Sequence, residues 1–215
     1  MRYDGFIFDL DGTLVYTPFE FRYLILNRTL ESFGKSLDRE RDRDSINLFW
    51  FSGRRDEIIQ ERFGINPADF WREYKVHDTV DFRRNYSRPY NDFSFVMGIR
   101  KIGKKTGIVT GAPVHIADFY VDELMGRDLF DSVTFARKSS GLEKKPNPQA
   151  LLACIDELGL RKRDAIYTGN SEEDVDMGRA AGVKTVLIDR GEHNIGESPE
   201  PPLRIRSLYE LEEFI

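Results

Sequence analysis

Short apolar runs alternate with helix-patterned stretches along most of this chain, and that rhythm leaves few ways to bury it. Strands joined by crossover helices pair in parallel, and the helices must then cover both faces of the sheet. The runs that read as strands are Gly5–Phe8, Thr106–Val109, Ser132–Phe135, Ala165–Tyr167 and Thr185–Ile188. The helical stretches carry their own boundary signals. Asn147 and Pro148 read as an N-cap followed by a first-turn proline, Leu151, Ile155 and Leu158 share one face, and Gly159 ends the element. Near residue 215, Ser207 and Glu210 form a capping-box pattern around Leu208, Leu211 and Phe214. The predicted fold class is α/β, with a doubly wound parallel sheet as its core.

The alternation breaks after the first strand. Residues 16–88 read as mostly helical, so the expected organisation is a core of residues 1–15 and 89–215 with a helical subdomain at 16–88. Thr17-Pro18-Phe19-Glu20 has the form of a capping box with proline at the first helical position. Tyr23, Leu26, Leu30 and Phe33 follow at helical spacing, and Gly34 closes the element. The run Asp38–Asp44 mixes both signs of charge and reads as a solvated face or loop. Phe49, Trp50, Phe51, Phe70 and Trp71 are expected to form the core of the insert rather than a stacking platform.

Composition narrows the functional classes. With 40% hydrophobic residues the chain has enough apolar material for a core, which excludes a largely disordered polymer. A net charge of -5 shows no basic excess of the kind a nucleic-acid surface needs. No window approaches the apolar length of a membrane span, and no secretory signal pattern opens the sequence, so a cytoplasmic protein is expected. Cys154, the single cysteine, has no internal disulfide partner and reads as a small buried hydrophobe. The expected partner is a small molecule, with neither nucleic acid nor membrane, and the chain a monomer or homodimer.

Four segments stand just after four predicted strands, at the sheet edge where open α/β folds bind ligands. In Asp9-Leu10-Asp11-Gly12-Thr13, two carboxylates spaced by one residue leave an apolar strand and enter a glycine turn. Such hard oxygens suit magnesium, and one carboxylate can attack phosphorus while the other handles protons. The alternative is an acidic turn. Thr110-Gly111-Ala112-Pro113 offers a hydroxyl and free amides as a phosphate cradle, or it is an ordinary loop. In Glu143-Lys144-Lys145-Pro146-Asn147-Pro148, Lys145 is the candidate fixed charge and Lys144 reads as a surface lysine. Tyr167-Thr168-Gly169-Asn170-Ser171-Glu172-Glu173-Asp174 supplies further oxygens, although Ser171 and Asp174 also fit a capping box. Ala180, Ala181 and Gly182 read as close packing and a helix end.

Taken in order, Asp9-x-Asp11-Gly12-Thr13, Thr110-Gly111, Lys145-Pro146-x-Pro148 and Gly169-Asn170-Ser171-x-x-Asp174 resemble the haloacid dehalogenase superfamily. Within it they look most like the subgroup of phosphoglycolate phosphatase and β-phosphoglucomutase. The resemblance implies a Rossmann-like core with a helical cap, and a phosphatase for a small phosphate monoester. Asp9 would attack the phosphoryl group, giving an aspartyl-phosphate that water hydrolyses, and Asp11 would serve as acid and then base. Thr110 would hydrogen-bond the phosphoryl group and Lys145 would neutralise charge on it. Magnesium would be held by Asp9, the Asp11 carbonyl and the fourth segment, for which Asn170 and Asp174 are the candidates. Gly12, Thr13 and Gly111 complete the expected substrate-binding set. Most relatives carry aspartate at the position of Asn170, and a neutral amide there implies weaker metal binding.

Phe51-Ser52-Gly53-Arg54-Arg55-Asp56-Glu57 resembles the substrate-facing cap loop of that subgroup. Arg54 or Arg55 would then fork onto a carboxylate or second phosphate; equally, both are exposed arginines at a helix start. His77, His115 and His193 lack metal-ligand spacing and receive no role. Asp11 provides an acid that attack on a carbon–halogen bond does not need, which disfavours a dehalogenase. A sugar phosphomutase shares all these groups. Asn170 alone motivates a catalytically weak, ligand-binding alternative.

Overall fold

Gly5-Phe6-Ile7-Phe8 has no polar side chain on either face, and all four residues are buried as strand β1 (Gly5–Phe8). A strand apolar on both faces belongs in the middle of a covered sheet. The computed structural model, which describes residues 2–192 and 203–215, places it there. The other strands of this sheet are β4 (Lys105–Thr110), β5 (Ser132–Phe135), β6 (Ala165–Gly169), β7 (Lys184–Ile188) and β8 (Leu203–Ile205). A short antiparallel ribbon of β2 (Val15–Tyr16) and β3 (Arg88–Pro89) pairs Val15 with Pro89 and Tyr16 with Arg88.

The sheet is parallel throughout, in the order β5-β4-β1-β6-β7-β8. The chain winds outward from β1 through β4 to β5, then crosses back and winds outward through β6. The reversal falls at β1, whose Phe8 pairs with Ile108 on one side and Thr168 on the other. The strand ends beside that reversal are the expected ligand-binding edge.

The chain forms two compact units: Met1–Tyr16 with Arg88–Ile215, and Thr17–Ser87. The second unit contains α1 (Phe19–Glu31), α2 (Arg43–Phe51), α3 (Arg55–Phe63), α4 (Pro67–His77) and α5 (Val80–Arg84). Phe21, Ile25, Leu26, Leu30, Phe49 and Phe70 lie at its centre, with Trp50 and Trp71 packed against them. Phe51 lies outside that cluster, beneath the Arg22 guanidinium at 4.8 Å. Two expectations here are corrected. Pro18 is itself the extended N-cap of α1, so Thr17 falls outside the cap position, is buried, and forms no capping box. Ser32 caps the other end, leaving Phe33 in the turn that Gly34 closes at φ +68°.

In the first unit, α6 (Ser94–Lys101) and α7 (Val114–Asp118) follow β3 and β4, and α8 (Gln149–Glu157) and α9 (Glu172–Ala181) flank β6. Leu151, Cys154 and Ile155 of α8 pack with Ile7, Val109 and Tyr167 on one face of the sheet. Burial raises the Cys154 thiol to about 11, in keeping with an inert core position. Pro148, rather than Asn147, is the N-cap of α8, while the Asn147 side chain accepts from the Gln149 amide at 3.0 Å. The Ser207–Glu210 capping box forms, but on a 3-10 helix, Leu208–Phe214. Strand β8 has no counterpart in the predicted strands. Only Ile205 of its three residues is buried, too little to leave a periodic signal. His193 lies outside the described residues.

Gly178 lets α9 lie close against the sheet: a Cβ there would overlap Thr185 on β7. Alanine in mid-helix ordinarily gains up to about 1 kcal/mol over glycine, yet here overpacking costs about 1–3 kcal/mol. Gly178→Ala is therefore expected to lower the urea midpoint, and a raised midpoint would show that α9 can move away from β7 without loss.

Candidate active site

Asp9 is the first residue beyond β1, and its amide donates to the Thr168 carbonyl at 2.8 Å. The strand ladder thereby extends one step and fixes where the carboxylate leaves the sheet. The chain then turns on Gly12, at φ +82°, with the Gly12 amide bonded to the Val15 carbonyl at 2.8 Å. A side chain at this position would collide with the Asn170 amide as well as strain the backbone. Thr13, completely buried, points its hydroxyl at Asp9 Oδ2 (3.3 Å) and Asn170 Oδ1 (3.5 Å).

Lys145 reaches the other Asp9 oxygen. Its ammonium donates to Asp9 Oδ1 at 2.5 Å, Asp174 Oδ1 at 2.7 Å and the Tyr167 hydroxyl at 3.0 Å. Tyr167 in turn donates to Asp174 Oδ1 at 2.6 Å. Lys144, its neighbour, is exposed. Asp174 also completes the capping box of α9: its Oδ2 accepts from the Asn170 and Ser171 amides, each at 3.1 Å, and from the Ser171 hydroxyl at 2.7 Å. Gly169 makes room for this, since a Cβ there would overlap the Asp174 side chain.

Burial governs the protonation of this cluster. It drives the Asp9 carboxyl up from 3.8 to about 7, with nearby Asp174 and Asp11 adding to the rise and Lys145 opposing it. Burial would lower the Lys145 ammonium, but Asp174 and Asp9 outweigh it and hold the proton on. Burial would likewise raise Asp174, yet Lys145, Tyr167 and Ser171 bring its carboxyl below the ordinary value. Tyr167, raised by burial and by both carboxylates, stays a neutral hydroxyl.

The remaining predicted residues divide by unit. Asp11 lies in the Gly12 turn, bridged to Val15. Thr110 ends β4, two residues beyond the partner of Phe8, and its hydroxyl accepts from the Ala112 amide at 3.0 Å. Gly111 is exposed, with its carbonyl held by Arg137 at 2.8 Å. Arg54 and Arg55 belong to the other unit. Arg54 is exposed and forks onto Glu57, while Arg55 Nε donates to the Ser52 carbonyl at 2.9 Å. Tyr167, Asp92 and Arg190 escaped the sequence reading. A tyrosine in a buried strand reads as core, and a lone Asp or Arg in a loop reads as solvated.

The oxygens fit a hard cation in part. Asp9 Oδ2 and Asn170 Oδ1 share one hydroxyl neighbour, so a carboxylate and an amide oxygen converge beside the Asp11 turn. Magnesium commonly takes one or two carboxylates and keeps several waters, and this donor set can supply that. The expectation that Asp174 is a ligand meets a carboxylate already engaged at both oxygens by N–H, O–H and ammonium donors. Its place is as counter-ion to Lys145. Among the described residues no three His, Cys, Asp or Glu side chains gather as a metal cage.

A family model described as haloacid dehalogenase-like hydrolase matches residues 3–182. The chain is 26% identical over 208 residues to N-acetylmuramic acid 6-phosphate phosphatase of Pseudomonas aeruginosa, spanning 89% of this chain and 84% of that protein. It is 25% identical over 185 residues to phosphoglycolate phosphatase of Aquifex aeolicus, spanning 84% and 82%. A predicted phosphatase from Clostridium acetobutylicum superposes with a TM-score of 0.82 at 17% identity, over 99% of this chain and 98% of that one. That likeness speaks for the fold alone.

A carboxyl whose folded pKa lies above its unfolded value stabilises the fold below the unfolded pKa and loses that contribution as pH rises through the folded one. For Asp9 the window runs from 3.8 to about 7. Asp9→Asn does not titrate. Its melting temperature without metal should therefore gain on wild type between pH 5 and pH 8, and a constant difference across that range would show that Asp9 is an ordinary carboxylate.

Proposed function

The chain belongs to the haloacid dehalogenase-like hydrolases, and we propose that it is a magnesium-dependent phosphatase acting on a small phosphate monoester through an aspartyl-phosphate at Asp9. The observation that carries this reading is the Lys145 ammonium, bonded to Asp9 Oδ1 while Asp9 Oδ2 faces the Thr13 hydroxyl, which also faces Asn170 Oδ1. One oxygen is held by a fixed positive charge, and the carboxylate is oriented by its strand and its turn. That is the preorganisation a nucleophile needs.

In the proposed reaction Asp9 forms a bond to phosphorus as the phosphorus–ester oxygen bond breaks. Asp11 gives its proton to the departing alkoxide. Water then loses a proton to Asp11 and attacks phosphorus, the Asp9–phosphorus bond breaks, and inorganic phosphate leaves. Lys145 and the Thr110 hydroxyl stabilise the phosphoryl oxygens as charge spreads over them. Asp9, Asn170 and the Asp11 carbonyl would hold magnesium, which when bound supplies charge neutralisation at the phosphoryl group. The relatives described above are named for phosphorylated small molecules, which supports the same substrate class.

Phosphate release from a panel of small phosphate esters, with and without magnesium, tests the reading in wild type and Asp9→Asn. Metal-dependent release that Asp9→Asn abolishes is expected. Wild type that releases none from any ester would defeat the phosphatase reading in favour of a phosphomutase or a binding protein. Separately, Asn170→Asp should tighten magnesium binding by calorimetry, because a carboxylate adds charge to the donor set. Unchanged or weaker affinity would remove Asn170 from the ligands.

A further inference from the structure

Arg190 stands two residues beyond β7, its side chain 9% exposed against Asp92 at 8%. The guanidinium forks onto this carboxylate, Nη1 to Oδ2 at 2.7 Å and Nη2 to Oδ1 at 3.1 Å. Nη2 has a second acceptor: the backbone carbonyl of Thr13, at 2.7 Å. Its Cζ lies 3.9 Å from the centroid of the Tyr90 ring, and the Tyr90 amide donates to the Leu14 carbonyl at 3.0 Å. Asp92 is anchored in turn by the Leu208 amide at 2.8 Å and the Ser207 hydroxyl at 3.1 Å.

Thr13 is thus held at both ends. Its carbonyl accepts from Arg190, and its hydroxyl faces Asp9 and Asn170. A buried ion pair kept for stability alone needs no third partner, and well-packed apolar residues often replace such pairs without loss. Here the third arm enters the turn between Asp9 and the β2 strand. Only a planar guanidinium serves a carboxylate in two-pronged fashion while also reaching a carbonyl; an ammonium cannot match that geometry.

We propose that Arg190 is a positioning residue for the Asp9–Thr13 turn, with buried Asp92 as the fixed counter-ion that aims it. Arg190 touches no reacting atom. It sets the turn, the turn sets Thr13, and Thr13 sets Oδ2 of Asp9, the oxygen Lys145 does not hold. The inference rests on the phosphatase reading insofar as that turn is the reacting one, but the geometric part stands without it.

The test uses a double variant, Arg190→Met with Asp92→Asn, because Arg190→Met alone leaves a buried carboxylate uncompensated and should lose stability, whereas an asparagine at 92 removes the charge and still accepts from the Leu208 amide. The double variant is expected to melt near wild type. Its kcat should nonetheless fall by about 10- to 100-fold, the range a small displacement of reacting groups can produce, with KM unchanged. Amide hydrogen exchange at Gly12 to Val15 should quicken while that of β4 stays as in wild type. Arg190→Lys should not restore kcat. Wild-type kcat together with wild-type exchange in the double variant would overturn the proposal and leave the pair a stabilising contact. Exchange quickened across the whole chain would overturn it too. Wild type that releases no phosphate would instead count against the phosphatase reading, and the exchange measurement would still decide the role of Arg190.

Discussion

One ammonium between two buried carboxylates organises this site. Lys145 lies within 2.5 Å of Asp9 and 2.7 Å of Asp174, and all three side chains are nearly withdrawn from water. Buried charges persist only when paired and hydrogen-bonded, and here the pairing is incomplete, with two carboxylates sharing one cation. The unequal outcome follows from the other donors. Asp174 collects a phenol, a hydroxyl and two amides and stays ionised. Asp9 has fewer, and its carboxyl rises to about 7. The protein has thereby left the charge deficit on the residue at the mouth of the β1 turn, where an added cation would correct it.

The sheet makes this arrangement reachable. Asp9 and Asn170 follow adjacent parallel strands, and Gly12 and Gly169 are the two places where a side chain would block them. Gly169 permits Asp174 to fold back beneath the β6 end, and Gly12 permits the turn to pass over Asn170. Loops fixed by hydrogen bonds on a rigid sheet can hold catalytic distances that freely moving loops cannot.

How much of this was legible before the structure differs by the kind of signal. β1, β4, β5, β6 and β7 announced themselves as apolar runs, and their parallel pairing, though not their order in the sheet, followed from the helical patterns between them. Asp9, Thr13 and Asn170 were legible because they follow the ends of β1 and β6 closely, and Lys145, ten residues past β5, was legible from the proline turn beside it. Tyr167, Arg190 and Asp92 were not. Their roles come from partners far along the chain, such as Thr13 for Arg190, and no local pattern encodes a pairing of that kind. The Thr17–Glu20 box failed for a related reason: proline fixed the N-cap one residue later than the pattern required. Asp174 carries two signals at once. Its spacing suits a metal ligand, while its place at the first turn of α9 commits it to amides and to Lys145.

Asn170 becomes intelligible in the same charge balance. It is buried, with its Oδ1 facing the Thr13 hydroxyl that also faces Asp9. A carboxylate there would add another negative charge to a cluster that already has one cation too few. Without metal, it would raise the Asp9 carboxyl further and cost folding stability; with metal, it would bind more tightly. The amide reverses both effects. It lets the turn and the β6 end close with less repulsion, and it gives up charge attraction for a cation. On the proposed metal site, the amide would exchange metal affinity for a site that keeps its shape without metal. The buried Thr13 hydroxyl, which an amide oxygen and a protonated or ionised Asp9 can both satisfy, fits a site built to exist in either state.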